Sequence, residues 1–195
     1  MNEFRLDEKI FNTRMAGRIT RLHTKPENGQ GQTVAAHTWG VAMILLDLFP
    51  DISRDTLIFV LRHDVPETKT GDIPAILKWA NQDMTEIVME MEDNFMEQMG
   101  WENESSLSLS DILAFALADR MELLFYCLEQ MYMGNWLLAD VYINVRKKIL
   151  ANLDQFKPEV KTRGVEYINA YSNFLAEKFS KKAILSRDGL SIINS

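Results

Sequence analysis

Two histidines and two aspartates occupy places where a soluble chain has little reason to put them. The chain has only three histidines, at positions 23, 37 and 63. His37 sits within Val34-Ala35-Ala36-His37-Thr38-Trp39-Gly40-Val41-Ala42, at the start of an otherwise apolar helical pattern. His63 follows Leu57-Ile58-Phe59-Val60-Leu61-Arg62 and is joined directly to Asp64. Asp119 stands between Ile112-Leu113-Ala114-Phe115-Ala116-Leu117-Ala118 and the apolar residues Met121, Leu123, Leu124 and Phe125, where a carboxylate is expected to be buried. Burying an unpaired carboxylate costs several kcal/mol, so it needs a cation. Each residue alone has a plain reading: a satisfied core histidine, or an aspartate paired with Arg62 or Arg120. Two imidazoles and two carboxylates on three apolar helices that share one core read better together, as one metal site.

The chemistry follows from the donor set. Imidazole favours zinc, cobalt, iron, nickel or copper, and carboxylates extend the range to manganese. Two neutral imidazoles and two carboxylates balance the charge of a divalent ion. Positions left open on the ion can take a water and a phosphate oxygen, which makes phosphoryl chemistry the natural use. Glu67 lies three residues beyond Asp64 and is placed to handle a proton on the attacking water or the leaving oxygen; its plain reading is a solvated loop acid.

The elements that must position these residues are helices. Helical periodicity appears in most windows and strand-like alternation in none, giving helices at roughly 4–20, 34–48, 54–64, 74–80, 83–100, 110–133, 136–155 and 158–180. Ser53-Arg54-Asp55 and Ser110-Asp111 suit helix starts. Pro66 restrains Val65 from the α region, so the helix through Phe59 is expected to end near Asp64. Lys25 to Gln32 is polar and glycine-containing and reads as a loop. The class is all-α, a compact helical bundle, with residues 1–180 as a single domain and 181–195 as a C-terminal tail.

Composition bounds the partners. Of 195 residues, 47% are apolar and 25% charged, which fits a folded globular chain. The net charge of −7 gives no general attraction for nucleic-acid backbones or anionic membranes. Cys127 is the only cysteine, so an intrachain disulfide and a zinc–thiolate cluster are excluded. The charged start and the short apolar runs fit neither a signal peptide nor a membrane span, and a soluble, intracellular protein is expected.

His37, His63-Asp64 and Asp119, in this order, resemble the H…HD…D pattern of the HD-domain superfamily. The stretch His63-Asp64-Val65-Pro66-Glu67-Thr68-Lys69-Thr70-Gly71-Asp72-Ile73-Pro74 is similar to the corresponding block of the bacterial 5′-deoxynucleotidases (YfbR-like) and their phage relatives, the DatZ-type dATP triphosphohydrolases. The resemblance runs from about Arg14 to Leu150 and implies an HD-domain helical bundle. It implies a divalent transition metal (cobalt, manganese or zinc, with iron or nickel as further choices) held by His37, His63, Asp64 and Asp119. It gives Glu67 the role of catalytic carboxylate beside Asp64. Asp72 corresponds to an acid near the deoxyribose, and Lys78 and Arg21 to residues that meet phosphate. Leu22 and His23 stand where the family often places an aromatic that stacks on the base. The family usually has Glu immediately before the first metal histidine, and here that position is Ala36.

The implied activity is hydrolysis of a 2′-deoxynucleotide to the deoxynucleoside, releasing phosphate or tripolyphosphate. An alarmone or cyclic-nucleotide hydrolase and a non-catalytic nucleotide sensor are the other readings, against which the TGDIP stretch and the intact ligand positions speak. The substrate is a small molecule in the cytoplasm, or the host cytoplasm for a phage-encoded chain. A homo-oligomer is implied by the family, and apolar residues of 121–138 exceed what one small core needs.

Overall fold

The computed structural model describes residues 3–22, 25, 27, 29, 31–73, 81–101 and 106–193, with side chains through Phe179. Its helices are α1 (Leu6–Ala16), α2 (Val34–Leu48), α3 (Arg54–Val60), the short α4 (Glu67–Thr70), α5 (Gln82–Met99), α6 (Leu109–Tyr132), α7 (Ala139–Leu153) and α8 (Pro158–Ile193). A 3₁₀ turn, Trp136–Leu138, leads into α7. Among the described residues the only β pairing is an isolated antiparallel bridge, Thr20 to Thr33, and the class is all-α as expected. No helix among them is long and apolar enough to cross a membrane. The helix expected at 74–80 lies outside the described residues.

Side-chain caps set most of the helix starts. Thr33 accepts a hydrogen bond from the backbone N–H of Ala36, Ser53 from Thr56, Asn81 from Met84 and Ser108 from Asp111, each relieving an orphan donor of a first turn. Gly100 ends α5 in the left-handed region (φ 68°), where a side chain would be strained, and lets Trp101 N donate to Met96 O.

The core is organised around α6, which packs against α2, α3, α7 and α8. Its Leu117, Met121 and Leu124 are fully buried with Val41 and Leu45 of α2, Val60 of α3 and Ile149 and Leu153 of α7. Each such side chain contributes about 1.5–3 kcal/mol through burial. A second cluster joins Ala16 of α1, Val65, and Phe95 and Met99 of α5. Residue Val65 therefore seals the floor beneath the segment that carries His63 and Asp64.

Two helices end earlier than periodicity predicts. The one expected over 4–20 stops at Ala16, because the chain winds back through 3-residue turns to meet the entrance of α2. Ile19 O accepts from Val34 N at 2.9 Å, and Arg21 N donates to Gln32 O at 2.8 Å. The one expected over 54–64 stops at Val60. Beyond it the backbone continues in tighter turns, with Arg62 N donating to Phe59 O and Val65 N to Arg62 O. Pro66 has no N–H to extend an α ladder, so the tighter winding carries the chain into α4. This winding orients His63 and Asp64.

Candidate metal centre

His37, His63, Asp64 and Asp119 come together from three parts of the chain. His37 lies in the first turns of α2 and is fully buried. Its Nε2 is 3.0 Å from Asp119 Oδ1 on α6 and 3.7 Å from Asp64 Oδ2. His63 Nε2 is 3.1 Å from Asp64 Oδ1. One ligating atom each from His37, His63 and Asp119 lie within 4.8 Å of one another. Phe115 packs edge-on against the His63 ring at 4.9 Å between centroids, which fixes the ring plane. Asp119 is less buried than its apolar surroundings predict: its side chain is 34% exposed, because it faces the cleft and not the core behind α6.

The outer nitrogen of each imidazole is already occupied. His63 Nδ1 donates to Val60 O at 2.6 Å, using a carbonyl left free where α3 ends. His37 Nδ1 is hydrogen-bonded to Glu122 Oε2. Those bonds turn both Nε2 atoms toward the cleft. There His37 Nε2, His63 Nε2 and Asp64 Oδ2 are all buried without a hydrogen-bond partner. Buried polar atoms are rarely left this way. Three convergent, unsatisfied donors, two imidazole nitrogens and a carboxylate oxygen, fit a divalent transition metal.

The electrostatics agree. Burial by itself would lower the pKa of His63, but the charge of Asp64 close by, with Asp119 behind, pushes it up to about 9. Burial also opposes charge on His37, and the nearby Asp119 carboxylate with the bond to Glu122 outweighs that and raises it. Desolvation works against the charges of Asp64 and Asp119, yet His63, Arg21 and His37 hold Asp64 far below the usual carboxylate range, and His37 and Arg21 lower Asp119. The acids thus favour their ionised forms, and the imidazoles are biased toward holding protons that a metal would displace.

Arg21, not Arg62 or Arg120, is the arginine beside this centre. Its Nε is 4.0 Å from Asp64 Oδ2 and its Nη1 is 3.8 Å from Glu122 Oε2. The Arg62 guanidinium instead lies over the Trp101 ring, 4.4 Å from its centroid. Glu67 opens α4 with Oε2 buried and unpartnered. Burial, reinforced by the charges of Asp64 and Asp72, pushes its carboxyl up to about 8. Asp72 Oδ2 accepts a hydrogen bond from Leu22 N at 2.5 Å. Leu22 holds a left-handed backbone (φ 54°), unusual for a residue with a branched side chain, and its side chain packs toward Tyr126, Cys127 and Leu138. Its side chain is committed to that cluster, and its backbone is what meets Asp72. His23 and Lys78 lie outside the described residues.

Glu122 and Gln32 escaped the sequence reading. Gln32 Nε2 donates to Glu122 Oε1 at 2.6 Å, and its Oε1 accepts from Arg21 Nη1 at 3.3 Å. Glu122 had a signal: an acid one turn after Asp119, flanked by Met121 and Leu123 in the same apolar run. Gln32 had none, being one polar residue in a polar loop.

The profile of a family described as 5′-deoxynucleotidase YfbR-like matches residues 13–171. No curated protein sequence matches the chain. Among solved structures, the fold is similar to that of the HD phosphohydrolase DatZ of cyanophage S-2L, described as bound to dA and one catalytic Zn²⁺ ion. The two are 16% identical with a TM-score of 0.68, over 89% of this chain and 99% of that one. An HD-domain phosphohydrolase of Listeria innocua is 18% identical with a TM-score of 0.66, over 91% of this chain and 99% of that one. A protein of Pyrococcus horikoshii is 19% identical with a TM-score of 0.57, over 86% and 99% respectively. At these identities the likeness shows the fold.

Proposed function

Because the chain belongs to the YfbR-like 5′-deoxynucleotidase family of HD-domain phosphohydrolases, we propose that it hydrolyses 2′-deoxynucleoside monophosphates to the deoxynucleoside and orthophosphate, with His37, His63, Asp64 and Asp119 holding a divalent metal. The observation that carries this reading is the convergence of His37 Nε2, His63 Nε2 and Asp64 Oδ2, buried and unpartnered, beside Arg21 and Glu67. Zinc, cobalt or manganese suits such a mixed imidazole–carboxylate set. The chemistry such an ion supplies when bound is Lewis acidity toward the phosphoryl oxygen and a lowered pKa for the attacking water.

The chain's own residues do the rest. Arg21 presents a guanidinium to the phosphate, its position set by Gln32 and by the backbone bond between the two residues. That guanidinium lies beside the ligand cluster, 4.0 Å from Asp64 Oδ2 and 3.8 Å from Glu122 Oε2. Water attacks phosphorus, the P–O5′ bond breaks, and the 5′ oxygen leaves with a proton. Glu67, held protonated near neutrality by burial and by Asp64 and Asp72, donates that proton and regains one from the attacking water, whose oxygen stays on the released phosphate. Asp72 stands one turn beyond, tied to Leu22, to meet the sugar.

Self-association fits the surface. Met133, Trp136 and Leu137 are 46%, 67% and 59% exposed around one turn, an apolar patch that a second copy would cover. Light scattering coupled to size exclusion reads this directly, and a purely monomeric chain at micromolar concentration refutes it.

The function is tested by incubating cobalt- or manganese-loaded protein with the four deoxynucleoside monophosphates and the four triphosphates, and separating products by ion exchange. Deoxynucleoside and orthophosphate from monophosphates are the expected products. Tripolyphosphate from a triphosphate would replace the monophosphatase reading with a triphosphohydrolase one, and no product from any substrate would overturn both.

A further inference from the structure

Glu122 is not one of the four residues read as ligands, yet both of its carboxylate oxygens are engaged. One oxygen accepts from His37 Nδ1, and the other accepts from Gln32 Nε2 at 2.6 Å. Arg21 Nη1 lies 3.8 Å from the first of these oxygens. A carboxylate only accepts, so the proton of this pair sits on His37 Nδ1, and Nε2 is the ring atom left to face Asp64, Asp119 and His63. Gln32 belongs to the segment that pairs with Arg21 and closes the bridge from Thr20 to Thr33.

The helix opposite is shaped to admit this carboxylate. Gly40 lies one turn after His37 on α2, and a Cβ there would stand 2.8 Å from Glu122 Cγ and 3.2 Å from its Oε1. Glycine inside a helix costs about 1 kcal/mol relative to alanine. The clearance it gives is filled by a side chain pinned at both oxygens, which cannot swing away without releasing its partners.

We propose that Glu122 is the positioning residue of the metal centre: it fixes His37 in the tautomer that presents Nε2, and through Gln32 it sets the distance of Arg21 from the same centre. The proposal rests on the reading of His37 as a metal ligand. Glu122 acts without touching metal or substrate. Outer-sphere partners of ligating histidines typically change metal affinity by about 10–100-fold when removed.

The test is a cobalt titration against a competing chelator, read together with the visible ligand-field spectrum of the cobalt-loaded chain, for the parent and for Glu122→Ala, Glu122→Gln, Gly40→Ala and Glu129→Gln. Glu129 lies on the same helix but accepts from the Tyr171 hydroxyl, away from the ligands. Glu122→Ala is expected to weaken cobalt binding about 10–100-fold and shift the spectrum. Glu122→Gln, which can still accept from Nδ1, is expected to recover part of the loss. Gly40→Ala is expected to weaken binding although it alters no ligand, and Glu129→Gln to bind as the parent does. Parent-like affinity and spectrum in Glu122→Ala, with its helical circular dichroism intact, would overturn the proposal. If that variant fails to fold, parent-like binding in both Glu122→Gln and Gly40→Ala would overturn it. A parent chain that binds no cobalt would overturn the ligand reading itself, a result distinct from variants that match a binding parent.

Discussion

Lowering the pH from 8 to 6 is expected to loosen divalent-metal binding by about ninety-fold through His63 alone. In the metal-free chain this imidazole is pushed up to about 9 by Asp64 and Asp119 against the opposing effect of burial. Its Nδ1 stays committed to Val60 O, so the proton a metal must displace is the one on Nε2. Competition between one proton and one metal scales the apparent affinity by 1 + 10^(pKa − pH), a factor of about 1,000 at pH 6 and about 11 at pH 8. His37, also raised, steepens the dependence further at the acid end. Calorimetric titration in buffers of different ionisation enthalpy measures both the affinity and the protons released. At pH 7 His63 contributes close to one released proton and His37 adds to it. A metal affinity independent of pH between 6 and 8, or binding without proton release, would refute the reasoning. The same protonation stabilises the metal-free fold. The folded value for His63 lies above the ordinary one of 6.5, so its contribution is complete below that pH and is lost as pH rises toward about 9. Melting temperature of the chelated protein is expected to fall across that window.

Three further outcomes follow from the geometry. His63→Ala and Asp64→Ala each remove a converging donor and are expected to abolish metal binding by calorimetry while far-ultraviolet circular dichroism stays helical; full retention of binding would sink the ligand assignment. Glu67→Gln keeps the shape of the side chain but cannot give up a proton as the acid does, so kcat is expected to drop about 100-fold or more with metal affinity little changed. Leu117→Ala empties a fully buried position between α6 and its neighbours and is expected to cost about 2–5 kcal/mol in urea unfolding.

Much of this molecule is readable in its residues. The apolar helices around His37, Asp64 and Asp119 had to share a core, and they do; the H…HD…D order then fixed which polar atoms would meet. Periodicity failed where local winding took over. Leu61 to Asp64 carry the pattern of a helix continuing from α3, but the turns around Pro66 tighten the backbone, and a 3.6-residue pattern cannot report that. Arg21 was reachable only through the resemblance, since nothing in its spacing says that a loop residue returns to lie beside Asp64. The brace on His37 was hidden for a different reason. Ala36 offers no polar side chain next to the histidine, and the group that does the task comes from 85 positions away. Contacts of that separation are set by how α2 lies across α6, which no local pattern encodes.

The bridge between Thr20 and Thr33 has a consequence for how such a protein can diversify. It ties both ends of the intervening segment to the body of the fold, with Ile19 O bonded to Val34 N on one side of the tie and Arg21 paired to Gln32 within it. Residues between those anchors can be lengthened or exchanged while the anchors stay where they are. The entropic penalty of a longer closed segment grows only logarithmically, by about 0.6 kcal/mol for each doubling. Changes in length there leave His37 on α2, Asp119 on α6 and the His63-Asp64 turn after α3 where they are, whereas insertions inside the helical core would displace them.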